Sequence, residues 1–399
     1  MYKVAIVGGG ASGLLLATEL CSFEKAISGK DILILERLDR VGKKLISTGN
    51  GQGNLSNKVI SEKNYYGEEN FIKQAVKTIH GVNIVDYLYK IGIPTTCDED
   101  GKIYPVSKQA SAVLDILRAN LLSKGVNIVC DRYVTDIYKN EDNFTLISQE
   151  KYHAKNVVLA FGGKSAKQFG TDGTSYNLAQ KFGHTLTSLY PSLVQLKTDT
   201  THIKGLNGLK ERVKATAIIN GKEVKSAQGD LLFTEYGVSG NVVFSLSSVI
   251  CGQTNAKIKI EFLPNLDNKN LLKILSDKQK LTPYIPFNEI LVGIINKKIG
   301  QKLIKDYKLN TIEKVVEKLK NFTIDVIEPL GFNNSQVTKG GINTLDIDPT
   351  TYQSKKCKNL YIVGEALNVD GDCGGYNLTF AFCSAIASAK AIKNQLIEV

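Results

Sequence analysis

KVAIV at 3–7 is a continuous apolar, β-branched run, the pattern of a strand buried on both faces of a parallel sheet. GGGASG at 8–13 turns the chain. Ala11, Leu14, Leu15, Ala17 and Leu20 then recur at spacings that line one face of a helix. DILILE at 31–36 is a second buried strand, so the chain opens with a predicted β-α-β unit.

Helical periodicity returns at 71–91 and 109–124, separated by a Gly- and Pro-punctuated stretch that suits short strands. GVNIVC (125–130), YVTDIY (133–138) and NFTLISQ (143–149) read as consecutive strands of a meander. NVVLAFGG (156–163) is another apolar strand, ending in two glycines and followed by a helix over 175–182. At Pro191 the pattern changes. LVQLKT, RVKATAIING, DLLFTEY and AKIKIEFLP are short alternating runs that predict a β-rich segment over 191–265, and 266–322 reads as helical and lysine-rich. KNLYIVGE (358–365) returns to the strand-then-glycine style of the first residues, and a last helix starts near Asn377 or Leu378. No repeat or low-complexity segment interrupts this order.

Composition alters the picture little. Of the 399 residues, 43% are hydrophobic and 22% charged, as in ordinary globular proteins. No apolar run reaches the roughly 20 residues that span a bilayer, and Leu20-Cys21 lacks a secretory cleavage pattern, so a cytoplasmic protein without membrane attachment is expected. Cys21, Cys97, Cys130, Cys251, Cys357, Cys373 and Cys383 are odd in number and scattered. With no C-x-x-C pair, they point to buried thiols rather than a disulfide framework or zinc site. His80, His153, His184 and His202 show no metal-ligand spacing, and no metal is expected.

The formal net charge of +11 fits either nucleic acid or anionic small molecules as partners. Between Pro191 and Leu330 lie 21 basic and 14 acidic side chains, but lysines such as Lys269, Lys273, Lys278 and Lys280 are dispersed rather than packed into a block. Dispersion favours a solvated surface and argues against nucleic acid. The sequence does not specify an oligomeric state.

The chemistry concentrates in Gly8-x-Gly10-x-x-Gly13. Glycine-rich loops are common, but this one leaves a buried strand and opens a helix, with Glu36 ending the next strand. In such a turn Gly8 permits the tight bend, Gly10 lets a pyrophosphate approach the backbone, and Gly13 lets helix and strand pack closely. The N–H groups at Ala11 and Ser12 then face the phosphates, and Glu36 accepts from a ribose hydroxyl. Lys43 and Lys44, just after Gly42, either neutralise the pyrophosphate or are surface lysines. NAD and FAD share this fingerprint. The returning strands at 156–163 and 358–365 favour FAD, in the style of glutathione-reductase-type flavoproteins.

The segments at 41–57, 159–184, 228–240 and 339–384 together resemble the BaiN/YhiN-type NAD(P)/FAD-dependent oxidoreductases, the aminoacetone oxidase-like flavoproteins. The resemblance runs over essentially the whole chain. It implies an α/β fold: a Rossmann-like FAD-binding domain of the glutathione-reductase type from 1–190 and 335–399, with an inserted β-barrel plus helical substrate domain at 191–334. It further marks Arg37, Gly49, Asn54, Val134 (through its backbone, toward adenine), Gly162, Gly364 and Glu365 for the cofactor. The amides of Asn377, Leu378 and Thr379 would lie at the flavin pyrimidine, where charge develops on reduction. Cys373 and Tyr376 are the catalytic candidates it leaves, each with the alternative of a packed side chain. The family loop commonly carries a glycine, an arginine and a cysteine where this chain has Asn50, Gln52 and Gly53.

The implied activity is FAD-dependent reduction of a small organic substrate, such as a conjugated enone. Electrons would come from NAD(P)H sharing the substrate cleft, since no second G-x-G-x-x-G is present. The alternatives are a nucleic-acid-directed flavoprotein that modifies RNA, suggested by the charge, and a non-catalytic FAD-binding sensor, suggested by the altered loop.

Overall fold

A computed structural model describes residues 1–23 and 26–397, and these divide into two compact units, the first drawn from 1–190 and 337–397 and the second from 191–336.

The first unit is built on a seven-stranded sheet. The strands Asn127–Val129, Ile32–Leu35, Tyr2–Val7 and Lys151–Leu159 lie side by side and parallel. Lys151–Leu159 changes character along its length. Its first half alternates buried and exposed and pairs antiparallel with Asn143–Ile147, which in turn pairs with Asp136–Asn140. Its second half is continuously buried, and there Val157–Leu159 pair in parallel with Leu360–Ile362. The sequence follows this switch: alternation where one face is wet, an unbroken apolar run where helices cover both faces.

The expected three-strand meander is therefore only half present. Asn127–Val129 leaves it and adds to the opposite edge of the sheet, beside Ile32–Leu35, because the helix Ala110–Ser123 carries the chain across to form a parallel crossover. The helical pattern over 71–91 is also two helices, Glu69–Val82 and Ile84–Lys90, broken at Asn83, which takes left-handed backbone and caps the second through Asp86 N–H. The first helix, Ala11–Cys21, packs on the last, Tyr376–Ile397; the first buries nearly all of its apolar residues and the last most of those up to Ile392.

The second unit is a closed six-stranded barrel in the order Leu196–Thr198, Gly237–Ser239, Lys222–Phe233, Lys210–Ile219, Ala256–Phe262 and Phe322–Pro329. Ala256–Phe262 shows why it closes: Ala256, Ile258, Ile260 and Phe262 are buried while Lys257 and Lys259 face out. Phe322–Pro329 returns after the helices to seal the barrel against Leu196–Thr198. The helix Asn241–Ile250 packs on the two long strands. Three amphipathic helices, Asn268–Leu281, Lys297–Asp306 and Ile312–Lys320, are capped by Asp267, Asn296 and Thr311 and place most of their lysines on the polar face, whereas Lys320 is buried against Glu261. Among the described residues no helix is long and apolar enough to cross a membrane.

Candidate functional site

The turn between the first strand and first helix has the shape of a phosphate cradle. Gly8 has φ +110°, and a Cβ there would sit 2.5 Å from the Ala160 carbonyl oxygen; a Cβ on Gly13 would run into the Gly8 carbonyl. Both positions are closed to side chains, Gly8 by the backbone that follows the neighbouring strand and Gly13 by the packing of helix against the turn. Gly10 differs: a Cβ there meets nothing within 4 Å, so its missing side chain leaves open space. Gly10 is also the N-cap of Ala11–Cys21, with no side-chain cap and no acidic residue in the first turn. The N–H groups of this helix end, with Ala11 and the buried Ser12 beside them, face an opening that suits an anion.

Glu36 stands at the rim. One carboxylate oxygen accepts from Gly9 N–H at 2.8 Å and the other from Leu38 N–H at 2.9 Å. Burial raises its pKa, opposed by those two amides and by Arg37. Arg37 is not a free cation. Its guanidinium forks onto Asp172, at 2.9 and 3.2 Å, and stacks on Tyr133. Burial pushes the Asp172 pKa up, but hydrogen bonds from Arg37 and Thr174 outweigh it and hold the carboxyl at about 2. Val134 is buried beside Tyr133.

The two lysines part company. Lys43 pairs with Asp39, four residues earlier in the preceding loop. Lys44 reaches Glu365 at 2.6 Å, and the other Glu365 oxygen accepts from Thr338 N–H at 2.9 Å. Thr338 Oγ1 in turn receives the N–H groups of Lys164 and Ser165, beside Gly162 and Gly163. Gly364 lies directly against Ser12. The cradle, the 162–166 turn and the Gly364-Glu365 turn are thus one connected surface.

A second cluster surrounds the start of the last helix. Asn377 exchanges two hydrogen bonds with the Gly371 backbone, both 2.8 Å, which fixes the DGDCGGYN loop. The helix ladder begins at Thr379 N–H to Gly375 O. The Thr379 amide is thereby used inside the helix, leaving Asn377 and Leu378 as the end amides. Thr379 Oγ1 donates to Ser56 Oγ at 2.8 Å, and Asn57 donates to Gly374 O at 3.0 Å. With its amide turned to satisfy both ends, Asn54 donates to Ser56 O at 3.0 Å and accepts from Gly375 N–H at 3.1 Å. Cys373 is half-buried at the loop tip. Tyr376 is buried edge-on against Tyr65, and burial, followed by Asp372 and Cys373, raises its pKa.

In the loop at 48–53 four residues take left-handed backbone: φ is +57° at Gly49, +55° at Asn50, +84° at Gly51 and +77° at Gly53. A Cβ on Gly53 would lie 3.1 Å from Ala110 Cα. The backbone at this position is suited to glycine. Asp172, Thr338, Ser56, Asn57 and Tyr65 were not legible as site residues, since each acts through a partner far away in sequence. Among the described residues no cluster of three metal-ligating side chains occurs.

The HI0933-like protein Rossmann domain model matches residues 2–391. The chain belongs to this family of flavoprotein oxidoreductases. It is 30% identical to the 3-dehydro-bile acid delta(4,6)-reductase of Clostridium scindens, over 98% of this chain and 99% of that protein. It is 27% identical to the ribosomal RNA dihydrouridine synthase of Haemophilus influenzae, covering 98% of each chain. A further relative, the ribosomal RNA dihydrouridine synthase of Escherichia coli, is 24% identical over 98% of this chain and 97% of its own. Among solved structures, the 3-ketosteroid-delta4-(5alpha)-dehydrogenase of Rhodococcus jostii aligns with a TM-score of 0.51 at 13% identity, over 98% of this chain and 96% of that one. Quinol fumarate reductase of E. coli aligns with a TM-score of 0.51 at 15% identity, over 99% and 70%. These structures share the fold, and FAD is the cofactor that family and cradle together call for.

Proposed function

We propose that the protein is an FAD-dependent reductase of carbon–carbon double bonds conjugated to a carbonyl, with NAD(P)H as electron donor and a small organic enone as substrate. The observation that carries this reading is the full-length similarity to a bile acid delta(4,6)-reductase. Two kinds of named relative point to one reaction type. A 3-oxo steroid with a neighbouring double bond and a uracil ring both present C=C beside C=O, and reduction adds a hydride at the far carbon and a proton at the near one.

The chain's own residues account for binding. Gly10 and the amides at Ala11 and Ser12 would receive the pyrophosphate and Glu36 the ribose, beside the Lys44–Glu365 ion pair. Bound FAD supplies two-electron redox chemistry as hydride transfer at N5. The end amides of Asn377 and Leu378 favour negative charge near them. Tyr376, whose pKa burial raises, stays protonated at neutral pH, as a donor of the substrate's proton must be.

A second reading, an RNA-directed reductase, is favoured by the two ribosomal RNA dihydrouridine synthases and by the excess of basic side chains between Pro191 and Leu330. One experiment separates the readings. Anaerobic NADH or NADPH should bleach the visible flavin absorption of the purified protein, and a conjugated 3-oxo steroid should restore it. Restoration only by ribosomal RNA, with dihydrouridine gained, would move the assignment to the second reading. Failure of both nicotinamides to bleach the flavin would remove NAD(P)H as donor.

A further inference from the structure

The residue after Glu36 is committed to protein partners on every side. Arg37 Nη1 and Nη2 hold the two oxygens of Asp172 at 2.9 and 3.2 Å, and Nη1 also donates to Gly170 O at 3.1 Å. The guanidinium carbon lies 4.5 Å from the Tyr133 ring centroid. Tyr133 OH donates to Thr174 Oγ1 at 2.9 Å, and Thr174 returns to Asp172 Oδ1 through its hydroxyl at 2.6 Å and its N–H at 3.0 Å. The circuit closes on itself.

Its position is set by the backbone around it. Residues 36–38 run beside 129–132 through Glu36 N–H to Val129 O, Arg132 N–H to Glu36 O and Asp131 N–H to Leu38 O, each 2.8–2.9 Å. Tyr133 therefore stands next to the strand end that carries the ribose-facing carboxylate. The turn at Gly170 is pinned there too, because its backbone passes so close to Leu38 that a Cβ would meet Leu38 Cδ1 at 2.8 Å. Three segments far apart in sequence meet here. A forked arginine–carboxylate pair stacked on an aromatic ring is more directional than a lone lysine contact.

From this closed circuit we infer that Arg37, Asp172, Tyr133 and Thr174 form a latch holding the 170–174 segment at the adenosine end of the FAD site and setting how slowly the cofactor leaves. The inference rests on FAD lying in the Glu36 site. These are positioning residues, and the latch acts on the half of the cofactor that FMN lacks.

The test compares wild-type and Asp172→Asn holoenzymes by the recovery of flavin fluorescence after dilution, then titrates the deflavinated full-length chains with FAD and with FMN. FAD release should quicken about tenfold, and FAD affinity should fall about tenfold, with FMN affinity unchanged within about twofold. Arg37→Lys, which keeps the charge but loses fork and stack, should shift FAD in the same direction and serves if Asp172→Asn does not fold. FAD release unchanged within about twofold in both variants would overturn the latch. FMN weakened as much as FAD would overturn it as well, by showing general damage. A wild-type chain that binds FMN but not FAD, or neither, would overturn the cofactor assignment itself.

Discussion

Lys44 Nζ lies 2.6 Å from a carboxylate oxygen of Glu365, a residue 321 positions later in the chain. The two side chains are 23% and 19% exposed, between a surface pair and a buried one. Removing one partner leaves a partly desolvated charge. Lys44→Met should cost about 1–2 kcal/mol, and Lys44→Met with Glu365→Gln less than the sum of the single changes. Urea midpoints of the four chains test this. Additive losses would show that the pair is not coupled.

Gly8 and Gly10 are two residues apart and should respond oppositely. Gly8→Ala places a Cβ against the Ala160 carbonyl in backbone that side chains avoid, and should destabilise the fold by about 1–3 kcal/mol or more. Gly10→Val fills open space, so thermal stability without cofactor should stay within about 0.5 kcal/mol of wild type while FAD binding is lost. Equal stability losses would contradict the cradle.

Asp172 gives a pH signature. Its carboxyl is held at about 2 against an ordinary 3.8. Because the folded pKa is depressed, the stabilisation is fully present above 3.8 and disappears as pH falls through about 2. The stability gap between wild type and Asp172→Asn should be constant from neutral pH to about pH 4 and then close with further acidification. A gap that widens on acidification would reverse the sign. Thermal melts across the acid range read it directly.

The thiols should sort by burial. Cys97 is exposed, Cys130 and Cys373 are half-buried, and the other four are buried, with the Cys383 pKa pushed up by burial. A disulfide reagent should label Cys97 at once, Cys130 and Cys373 slowly, and the rest only after denaturation. Bound FAD should slow Cys373 several-fold relative to Cys97 if the DGDCGGYN loop borders the flavin. Equal slowing of both would count against that placement.

The sequence by itself determined the elements and the cradle. Strand, glycine turn, helix and the Glu36 carboxylate lie within one short stretch, and the patterns that reveal them are local: period two, period 3.6, and the need for a missing side chain. Family-level similarity extended this to the inserted barrel. Tertiary structure alone decided the rest. A short strand such as 127–129 can pair at either edge of a sheet, so only the crossover helix assigns its neighbour. Likewise Arg37 and Lys43 look like available cations in sequence, yet Asp172 and Asp39 engage them. Partner choice follows from which distant strands and turns return to the same place. That is a global consequence of burying the core, and no local spacing records it.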